Sequence, residues 1–286
     1  MIVVTGATGA LGSGTVHELL RHLPPTEVGV SVRDTAKAQD LAGLGVRVRQ
    51  GDFADPDSLA HAFAGADRVL VVSGSTLGPE GVALHAAAAR AARDAGAERV
   101  FYTAHQDTRA DSPVPFAVDH AATEAALAGL GTPWTSLRNG FYAHTVGWLI
   151  AGAVERGELL LPEDGPISWT AREDLAAGDA VLLAQGPTFD GPTPALTATE
   201  AVTFADVARV LSEVTGTTVR RTVVDDEEWL AQQITSGTPE PAARLLLGMF
   251  QGARAGEFDE VDPLLGELLG REPLPVRAAI EAALAR

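Results

Sequence analysis

The feature that most constrains the fold is a short apolar run followed by closely spaced glycines within the first 14 residues. Residues 2–4 read I-V-V, an unbroken β-branched run that is typical of a strand buried on both faces of a parallel sheet. Residues 5–12 then read T-G-A-T-G-A-L-G. Three leucines and a threonine recur every four positions, at Leu11, Thr15, Leu19 and Leu23. This spacing predicts a helix from about residue 11 until the prolines at 24 and 25.

This succession of strand, turn and helix predicts a binding site for a dinucleotide. A chain that turns at Gly6 and begins a helix near Ala10 points free backbone N–H groups and the positive end of the helix dipole at one spot. That spot suits a pyrophosphate, and a Cβ atom at Gly9 would hold the ligand away. The predicted cofactor contacts in this segment are Gly6, Thr8, Gly9, Ala10, Leu11 and Gly12. The alternative is an ordinary structural turn, since glycines also mark turns.

The rest of the first half alternates between predicted strands and helices. Strands are predicted at residues 28–32, 46–48, 68–72, 99–103 and 133–137. The helices between them include one that begins at residue 56 and two at about 79–95 and 117–130. This alternation implies right-handed crossovers. We therefore predict an α/β fold with a Rossmann-type doubly wound parallel sheet.

The regular alternation ends at about residue 140. Short predicted strands at 159–161, 167–170, 195–197 and 219–224 are mixed with helices that begin after Thr203 and Asp225. We predict an NAD(P)-binding domain at residues 1–140 and a smaller α+β substrate-binding lobe at residues 141–286. The lobe is expected to close over the cofactor and to be partly interwoven with the first domain.

Arg33, at the end of the second predicted strand, bears on the choice of cofactor. An acidic side chain there accepts hydrogen bonds from the ribose 2′-OH of NAD, whereas an arginine pairs with the 2′-phosphate of NADP. Asp34 follows and opens D-T-A-K like a helix N-cap. NADP(H) is therefore the predicted cofactor. Two alternatives stay open: Asp34 could turn inward to favour NAD, or Arg33 could be a solvated charge at a strand end.

Two more loops are predicted to contact the cofactor. Asp52 and Phe53 follow the third strand, and Asp52 could accept a hydrogen bond from the adenine amino group while Phe53 lies against the ring. An ordinary loop carboxylate is the alternative for Asp52. Ser73, Gly74 and Ser75 follow the fourth strand, where small residues let a ligand approach the carboxyl edge of an open α/β sheet.

Composition excludes several classes of function. With 21 Lys and Arg against 38 Asp and Glu, the net charge is −17, which disfavours nucleic-acid binding. The chain has no cysteine, so disulfides and thiolate zinc sites are excluded, and its seven histidines form no metal-binding pattern. No apolar run is long enough to span a bilayer and no secretory leader is apparent. We expect a cytoplasmic protein with a small-molecule substrate, no metal and no membrane partner. A homodimer is one assembly that stays open.

Several motifs together resemble the NmrA-like atypical short-chain dehydrogenase/reductases. Besides the glycine segment they are V-R-D-T-A-K-A at 32–38, R-Q-G-D-F at 49–53, F-Y-T at 101–103, D-H-A-A-T-E at 119–124, L-R-N-G-F-Y at 137–142 and F-A-D-V-A-R-V-L-S-E-V-T-G at 204–216. The resemblance runs along almost the whole chain and is strongest to the NAD(P)H:quinone oxidoreductase and triphenylmethane reductase branch. It implies an NAD(P)H-dependent reductase.

The catalytic Tyr-x-x-x-Lys pair of the wider superfamily is missing. The two tyrosines, Tyr102 and Tyr142, are followed four residues later by Gln106 and Val146, and the single lysine is Lys37. A ketone that becomes an alcohol needs a positioned proton donor, because the developing alkoxide is strongly basic. A quinone or a cationic dye needs less, since its product is a phenolate or a neutral molecule. Conjugated acceptors are therefore favoured, with hydride transfer governed by proximity to the nicotinamide.

The resemblance also implies residues near the reacting centre. His120 occupies the position where related ether reductases and isomerases carry a lysine, and an imidazole that titrates near neutrality would suit proton transfer there. The alternative is a surface histidine bonded to Glu124. Asn139, Phe141 and Tyr142 resemble the residues that flank the nicotinamide in this branch. Their alternative role is packing at the junction between strand and lobe.

These inferences favour an NADPH-dependent reductase that transfers hydride to a quinone-like or other conjugated small molecule. A non-catalytic NADP-binding redox sensor is the alternative from a different functional class, because NmrA-like proteins include both kinds. A biosynthetic reductase or isomerase with a dedicated substrate is a third alternative.

Overall fold

The fold is built on a seven-stranded sheet in which every neighbouring pair of strands is parallel. The computed structural model describes residues 1–185 and 189–285. In chain order the strands of this sheet are β1 (Ile2–Thr5), β2 (Val28–Val32), β3 (Arg47–Gln50), β4 (Arg68–Val71), β5 (Arg99–His105), β6 (Trp134–Asn139) and, after an intervening strand, β8 (Gly191–Pro192). Their spatial order is β3-β2-β1-β4-β5-β6-β8, which confirms the predicted Rossmann-type doubly wound sheet.

Helices cover both faces of this sheet. They include α1 (Ala10–His22), α2 (Gln39–Gly43), α3 (Pro56–Phe63), α4 (Gly78–Asp94), α5 (Pro115–Ala128) and α8 (Arg172–Gln185). Helices α1 and α8 pack against each other over one face, whose core includes Leu11, Leu19 and Leu175. Helices α3, α4 and α5 cover the other face with Phe63, Ala88 and Leu127. Strands β1, β2, β4 and β5 are therefore largely buried on both faces, whereas β3 at the edge of the sheet is partly exposed.

Most of the remaining elements form a third apolar cluster. They are α6 (His144–Leu149), α7 (Ala153–Arg156), β7 (Glu158–Pro162), α9 (Phe204–Thr215), β9 (Arg220–Val224), α10 (Asp226–Thr235), α11 (Glu240–Arg254) and α13 (Val276–Leu284), whereas α12 (Leu264–Leu269) packs against α8. Strands β7 and β9 form a separate two-stranded parallel sheet. Thr203 caps α9 in a capping box and Asp225 caps α10, as their positions predict.

Two segments of the second half differ from the expected strands. Residues 167–170 make isolated bridges only, because the Trp169 N–H donates to the Ile167 carbonyl and the chain turns back on itself. Leu196 forms one bridge, to Asn139, beyond the end of β8. Within residues 1–185 and 189–285 no helix is long and apolar enough to span a bilayer.

The second half also completes the first. Strand β8 pairs with β6, and α8 packs on α1, so both elements extend the layers that residues 1–140 begin. The division into a cofactor domain at 1–140 and a lobe at 141–286 stays a prediction. Residues 186–188 and 286 of that lobe lie outside the described residues.

Candidate functional site

The turn between β1 and α1 is shaped by its glycines. Gly6 has a φ of +61°, and its carbonyl accepts a hydrogen bond of 2.9 Å from the Gly9 N–H. A Cβ atom at Gly12 would lie 2.6 Å from the Gly6 oxygen, so the helix approaches the turn more closely than any other residue would permit. Helix α1 begins after Gly9 without a side-chain cap. Its first N–H groups are thus left for a ligand.

A cleft of about 390 Å³ opens beside this turn. Nine of the predicted cofactor residues line it: Gly6, Thr8, Gly9, Arg33, Asp52, Phe53, Ser73, Gly74 and Ser75. Ala10, Leu11 and Gly12 lie next to it in the first turn of α1, where Leu11 and Gly12 are buried. The carboxyl ends of β1, β2, β3 and β4 therefore meet at one concave surface.

Arg33 lies exposed at the end of β2 and lines the cleft. Across the part of the chain that the structure describes, no hydrogen bond or ion pair engages its guanidinium. Asp34 is engaged instead in a local cap, where its carboxylate accepts a hydrogen bond of 3.0 Å from the Ala36 N–H. Arg33 therefore presents a cation to the cleft, and Asp34 does not compete for the same position.

The floor of the cleft carries a polar atom that sequence reasoning missed. The Ser31 side chain is buried, lines the cleft and has no hydrogen-bond partner among the described residues. A Cβ atom at Gly51 would lie only 2.2 Å from the Ser31 oxygen, so the two strand ends are closely packed. An unpaired buried hydroxyl is costly, and a ligand in the cleft would satisfy it.

Asp52 and Phe53 line the cleft after the end of β3, and their contact with an adenine ring stays a prediction. One Asp52 carboxylate oxygen accepts from the Ala54 N–H at 3.0 Å in a local turn. The half-buried Phe53 ring lies edge-on to the ring of His85, with centroids 6.3 Å apart. Asp52 can therefore stabilise the local turn with one carboxylate oxygen and contact a ligand with the other, which that turn does not use.

The loop after β4 is fixed from two sides. The Ser73 N–H donates to the Thr103 hydroxyl at 2.8 Å, and the Gly74 N–H donates to Nε2 of His85 at 2.9 Å. Thr103 lies on β5 and His85 on α4, so two neighbouring elements hold this edge of the cleft. Sequence reasoning missed His85. The sequence feature that could have indicated His85 is its spacing from Gly81, Ala88 and Ala92, which places the histidine on the buried face of α4.

Tyr102 connects His85 to His120 in a second cluster of side chains. The Tyr102 hydroxyl lies 3.4 Å from Nδ1 of His85 and 2.7 Å from Nδ1 of His120. Burial lowers the pKa of His85 to about 4 and that of His120 to about 3, and it raises the pKa of Tyr102 well above its usual range. Both imidazoles are therefore neutral at physiological pH.

This geometry changes the expectation for His120. The prediction that its imidazole titrates near neutrality is wrong, because desolvation followed by the nearby His85 lowers its pKa. The alternative contact with Glu124 is not observed either. Glu124 instead accepts two hydrogen bonds from the Arg138 guanidinium, at 3.1 and 2.8 Å.

Asn139, Phe141 and Tyr142 lie at and beyond the end of β6 and do not line the cleft beside the glycine turn. Phe141 belongs to an aromatic group with His105, Trp169 and Phe258. The role of these residues at the nicotinamide stays a prediction. The aromatic contacts of Phe141 are of the kind that the alternative role, packing at the junction between strand and lobe, requires.

Asn139 contacts a buried carboxyl group that the sequence did not reveal. Its Nδ2 donates to Asp179 on α8 at 3.2 Å, while Oδ1 of each residue is buried without a partner in the described part of the chain. Burial raises the pKa of Asp179 to about 7, and the hydrogen bond from Asn139 offsets part of this rise. A buried carboxylic acid on α8 therefore lies next to the end of β6.

A larger cleft of about 560 Å³ lies elsewhere, between α6, the start of α8 and α13. It shares no lining residue with the cleft at the glycine turn. Among the residues that the structure describes, no group of three or more histidine or acidic side chains is arranged to hold a metal ion.

Comparisons with known proteins agree with this architecture. A family model described as the NmrA-like family matches residues 1–273. Quinone oxidoreductase 2 of Escherichia coli (strain K12) is 32% identical over 273 residues, which cover 94% of this chain and 94% of that protein.

Two solved structures are similar over nearly their whole length. A crystal structure of NADPH-dependent quinone oxidoreductase from Escherichia coli complexed with NADPH has a TM-score of 0.94 and 29% identity, covering 99% of this chain and 100% of that one. Triphenylmethane reductase from Citrobacter sp. complexed with NADP(H) has a TM-score of 0.91 and 31% identity, with the same coverage of 99% and 100%. The chain belongs to the NmrA-like family.

Proposed function

We propose that this protein is an NADPH-dependent reductase that transfers a hydride to a quinone-like or other conjugated small molecule. One observation carries the proposal: the uncapped start of α1 and the unpaired Arg33 face the same cleft. The relatives that act on quinones and on triphenylmethane dyes support the acceptor class, and the relatives complexed with NADP(H) support the cofactor.

The residues present fit NADP(H). Glycine at position 12 lets α1 begin directly against the turn, since a Cβ atom there would lie 2.6 Å from the Gly6 oxygen, and the unpaired Ser31 hydroxyl needs a polar partner. We assign the pyrophosphate to the amides at the start of α1, the 2′-phosphate to Arg33, and the adenine to Asp52 and Phe53. The backbone of the loop at 73–75 then borders the rest of the cofactor.

When bound, NADPH supplies the hydride. This chain contributes position and electrostatics, because it has no Tyr-x-x-x-Lys pair to deliver a proton. Tyr102, the tyrosine on β5, is buried with its pKa raised by desolvation, so it does not ionise at physiological pH. A conjugated acceptor tolerates this arrangement because the charge it acquires is delocalised. His120, which is half-buried beside Tyr102, is our candidate for the side chain that stabilises the charge on the reduced acceptor.

The reaction is tested by following nicotinamide absorbance while NADPH is mixed with a panel of quinones and cationic dyes. We expect oxidation of NADPH that depends on both enzyme and acceptor, and slower oxidation of NADH. The Arg33→Ala variant should lose the preference for NADPH without losing hydride transfer from saturating cofactor.

A non-catalytic redox sensor is the second candidate, favoured by the missing Tyr-x-x-x-Lys pair. Binding of NADPH without oxidation across the whole panel would support this candidate against the reductase. At about 100 times Kd, binding should still add about 2.7 kcal/mol to the free energy of unfolding.

A cytoplasmic location and a homodimeric state remain further proposals. Cell fractionation tests the first. Light scattering on a size-exclusion column tests the second, with a mass of about twice 29.6 kDa expected for a dimer.

A further inference from the structure

The hydrogen bonds around Tyr102 have a fixed direction. The backbone N–H of Gly74 can only donate, so Nε2 of His85 must accept and carries no hydrogen. A neutral imidazole has one N–H, which therefore lies on Nδ1 of His85 and faces the Tyr102 oxygen at 3.4 Å. Although this bond is long, it leaves the phenol hydrogen available for another acceptor.

That other acceptor is His120. Nδ1 of His120 lies 2.7 Å from the Tyr102 oxygen, and a bare imidazole nitrogen accepts the phenol hydrogen more strongly than the hydroxyl of Thr123, another side chain that interacts with Tyr102. The hydrogen of the neutral His120 ring therefore lies on Nε2. Among the described residues, Tyr102 is the one hydrogen-bond partner of the His120 ring, and His120 is half-buried. The hydrogen-bonded chain thus begins at Gly74 and His85, which line the cleft, and ends in one N–H group of His120 that no described residue uses.

We propose that His85 and Tyr102 lock His120 as the Nε2–H tautomer, and that this neutral N–H group donates a hydrogen bond to the acceptor oxygen on which negative charge develops during hydride transfer. The donor role rests on the proposed function, whereas the tautomer lock does not. His85 and Tyr102 act as positioning residues, and His120 is the residue that touches the substrate. Neutral imidazole donors of this kind stabilise developing oxyanions without giving up their proton.

The step balances without an added acid. The hydride adds to the conjugated π system of the acceptor, and an electron pair moves onto the carbonyl oxygen as its C=O bond becomes a single bond. The nicotinamide is oxidised and the acceptor is reduced by two electrons. The Nε2–H of His120 stabilises the resulting oxyanion, which takes its proton from water. His120 keeps its hydrogen, because a neutral imidazole is too weak an acid to release it.

The surroundings keep the cluster neutral. Asp119 lies on the same helix as His120, and its carboxylate accepts a hydrogen bond of 2.7 Å from the Gly78 N–H. Glu124 is paired with Arg138. His105, on β5, lies near His120, and burial lowers the pKa of His105 to about 3. Of these groups, Asp119 favours a charged imidazole at His85, but burial outweighs its effect and lowers the pKa of His85 to about 4.

Two substitutions separate a hydrogen-bond donor from an acid. His120→Phe removes the donor, and we expect kcat to fall about 100-fold. His120→Gln keeps a neutral N–H donor that cannot transfer a proton, and we expect it to retain activity within about tenfold of the wild type. Equal losses in both variants, with unchanged Kd for NADPH and unchanged unfolding temperature, would overturn the donor role. A wild-type kcat that falls with an apparent pKa of about 6.5 would overturn it as well.

The tautomer is tested without any turnover. Nitrogen-15 NMR of the imidazole rings, assigned through the signals missing in His120→Gln, should show a bare Nδ1 and a protonated Nε2 for His120. Tyr102→Phe should convert this ring to a mixture of tautomers. A protonated Nδ1 in the wild type would overturn the lock even if quinones are reduced. The expected tautomer in a protein that oxidises no NADPH would leave the lock intact and overturn the reductase together with the donor role.

Discussion

The two parts of the site are constructed differently. The cleft at the glycine turn is formed mainly by backbone groups and strand ends, within segments that are each short and local. The cluster of His85, Tyr102 and His120 is formed by side chains from α4, β5 and α5, which meet only in the folded chain. Anion binding by backbone amides survives large changes of sequence around its glycines. A directed chain of three side chains depends on each member.

The largest expected effect is at Gly12. The Gly12→Ala variant places a Cβ atom against the Gly6 carbonyl, so the turn must open and the amides lose their common direction. We expect NADPH to bind about 100-fold more weakly, equivalent to about 2.7 kcal/mol. Calorimetric titration measures this loss. Gly43→Ala is the matched control, because a Cβ atom there has open space around it. Equal behaviour of the two variants would contradict a site built on close backbone approach.

A smaller effect is expected at Arg33, which tests the side-chain part of the cleft. Loss of a charged hydrogen bond to the 2′-phosphate should cost about 2 kcal/mol, or roughly 30-fold in Kd for NADPH, with little change for NADH. Arg21→Ala is the control, since Arg21 is exposed in the last turn of α1 and outside the cleft. An equal rise in Kd for NADPH and NADH in Arg33→Ala would show that Arg33 does not bind the 2′-phosphate.

The smallest expected effect, counted per pH unit, is a dependence of stability on pH at Asp179. The folded pKa of about 7 lies above the usual value of 3.8, so between these values the folded state holds a proton that the unfolded state has lost. Stability contributed by this group therefore falls as pH rises, by at most about 1.4 kcal/mol per pH unit.

The Asp179→Asn variant removes that titration and keeps the shape of the side chain. Its advantage over the wild type should grow from pH 4 to pH 7 and then level off, as measured by urea unfolding. In the same window His85, His105 and His120 act oppositely, because their lowered pKa values make stability fall as pH falls below 6.5. These histidines are present in both proteins, so they cancel in the difference. A difference that does not vary with pH would contradict a protonated Asp179.

Local patterns predicted most of the fold. The second strand was predicted at its observed bounds, and Asp55 caps α3 through the N–H groups of Asp57 and Ser58, as an Asp-Pro helix start suggests. The cleft residues were predictable because a parallel sheet brings the carboxyl ends of its strands together. Each of these predictions used only residues that are neighbours in the chain.

Side-chain pairings across the fold were not predictable in the same way. Sequence spacing placed His120 near Glu124, yet it bonds Tyr102, 18 residues away on β5. Burial then moved its pKa away from neutrality, and burial cannot be read from a single helix turn. Asp179 appears in the sequence as an ordinary acidic helix residue, but it is completely buried in the fold. Tertiary packing decided all three features.

The most direct measurement is hydrogen–deuterium exchange of the protein with and without NADPH. We expect NADPH to slow exchange at the amides of residues 6–12 and of residues 73–75, because the cofactor covers both segments of the cleft. The larger cleft between α6 and α13 should exchange as before. Protection confined to that larger cleft, with no change at the glycine turn, would show that NADPH does not bind at the start of α1.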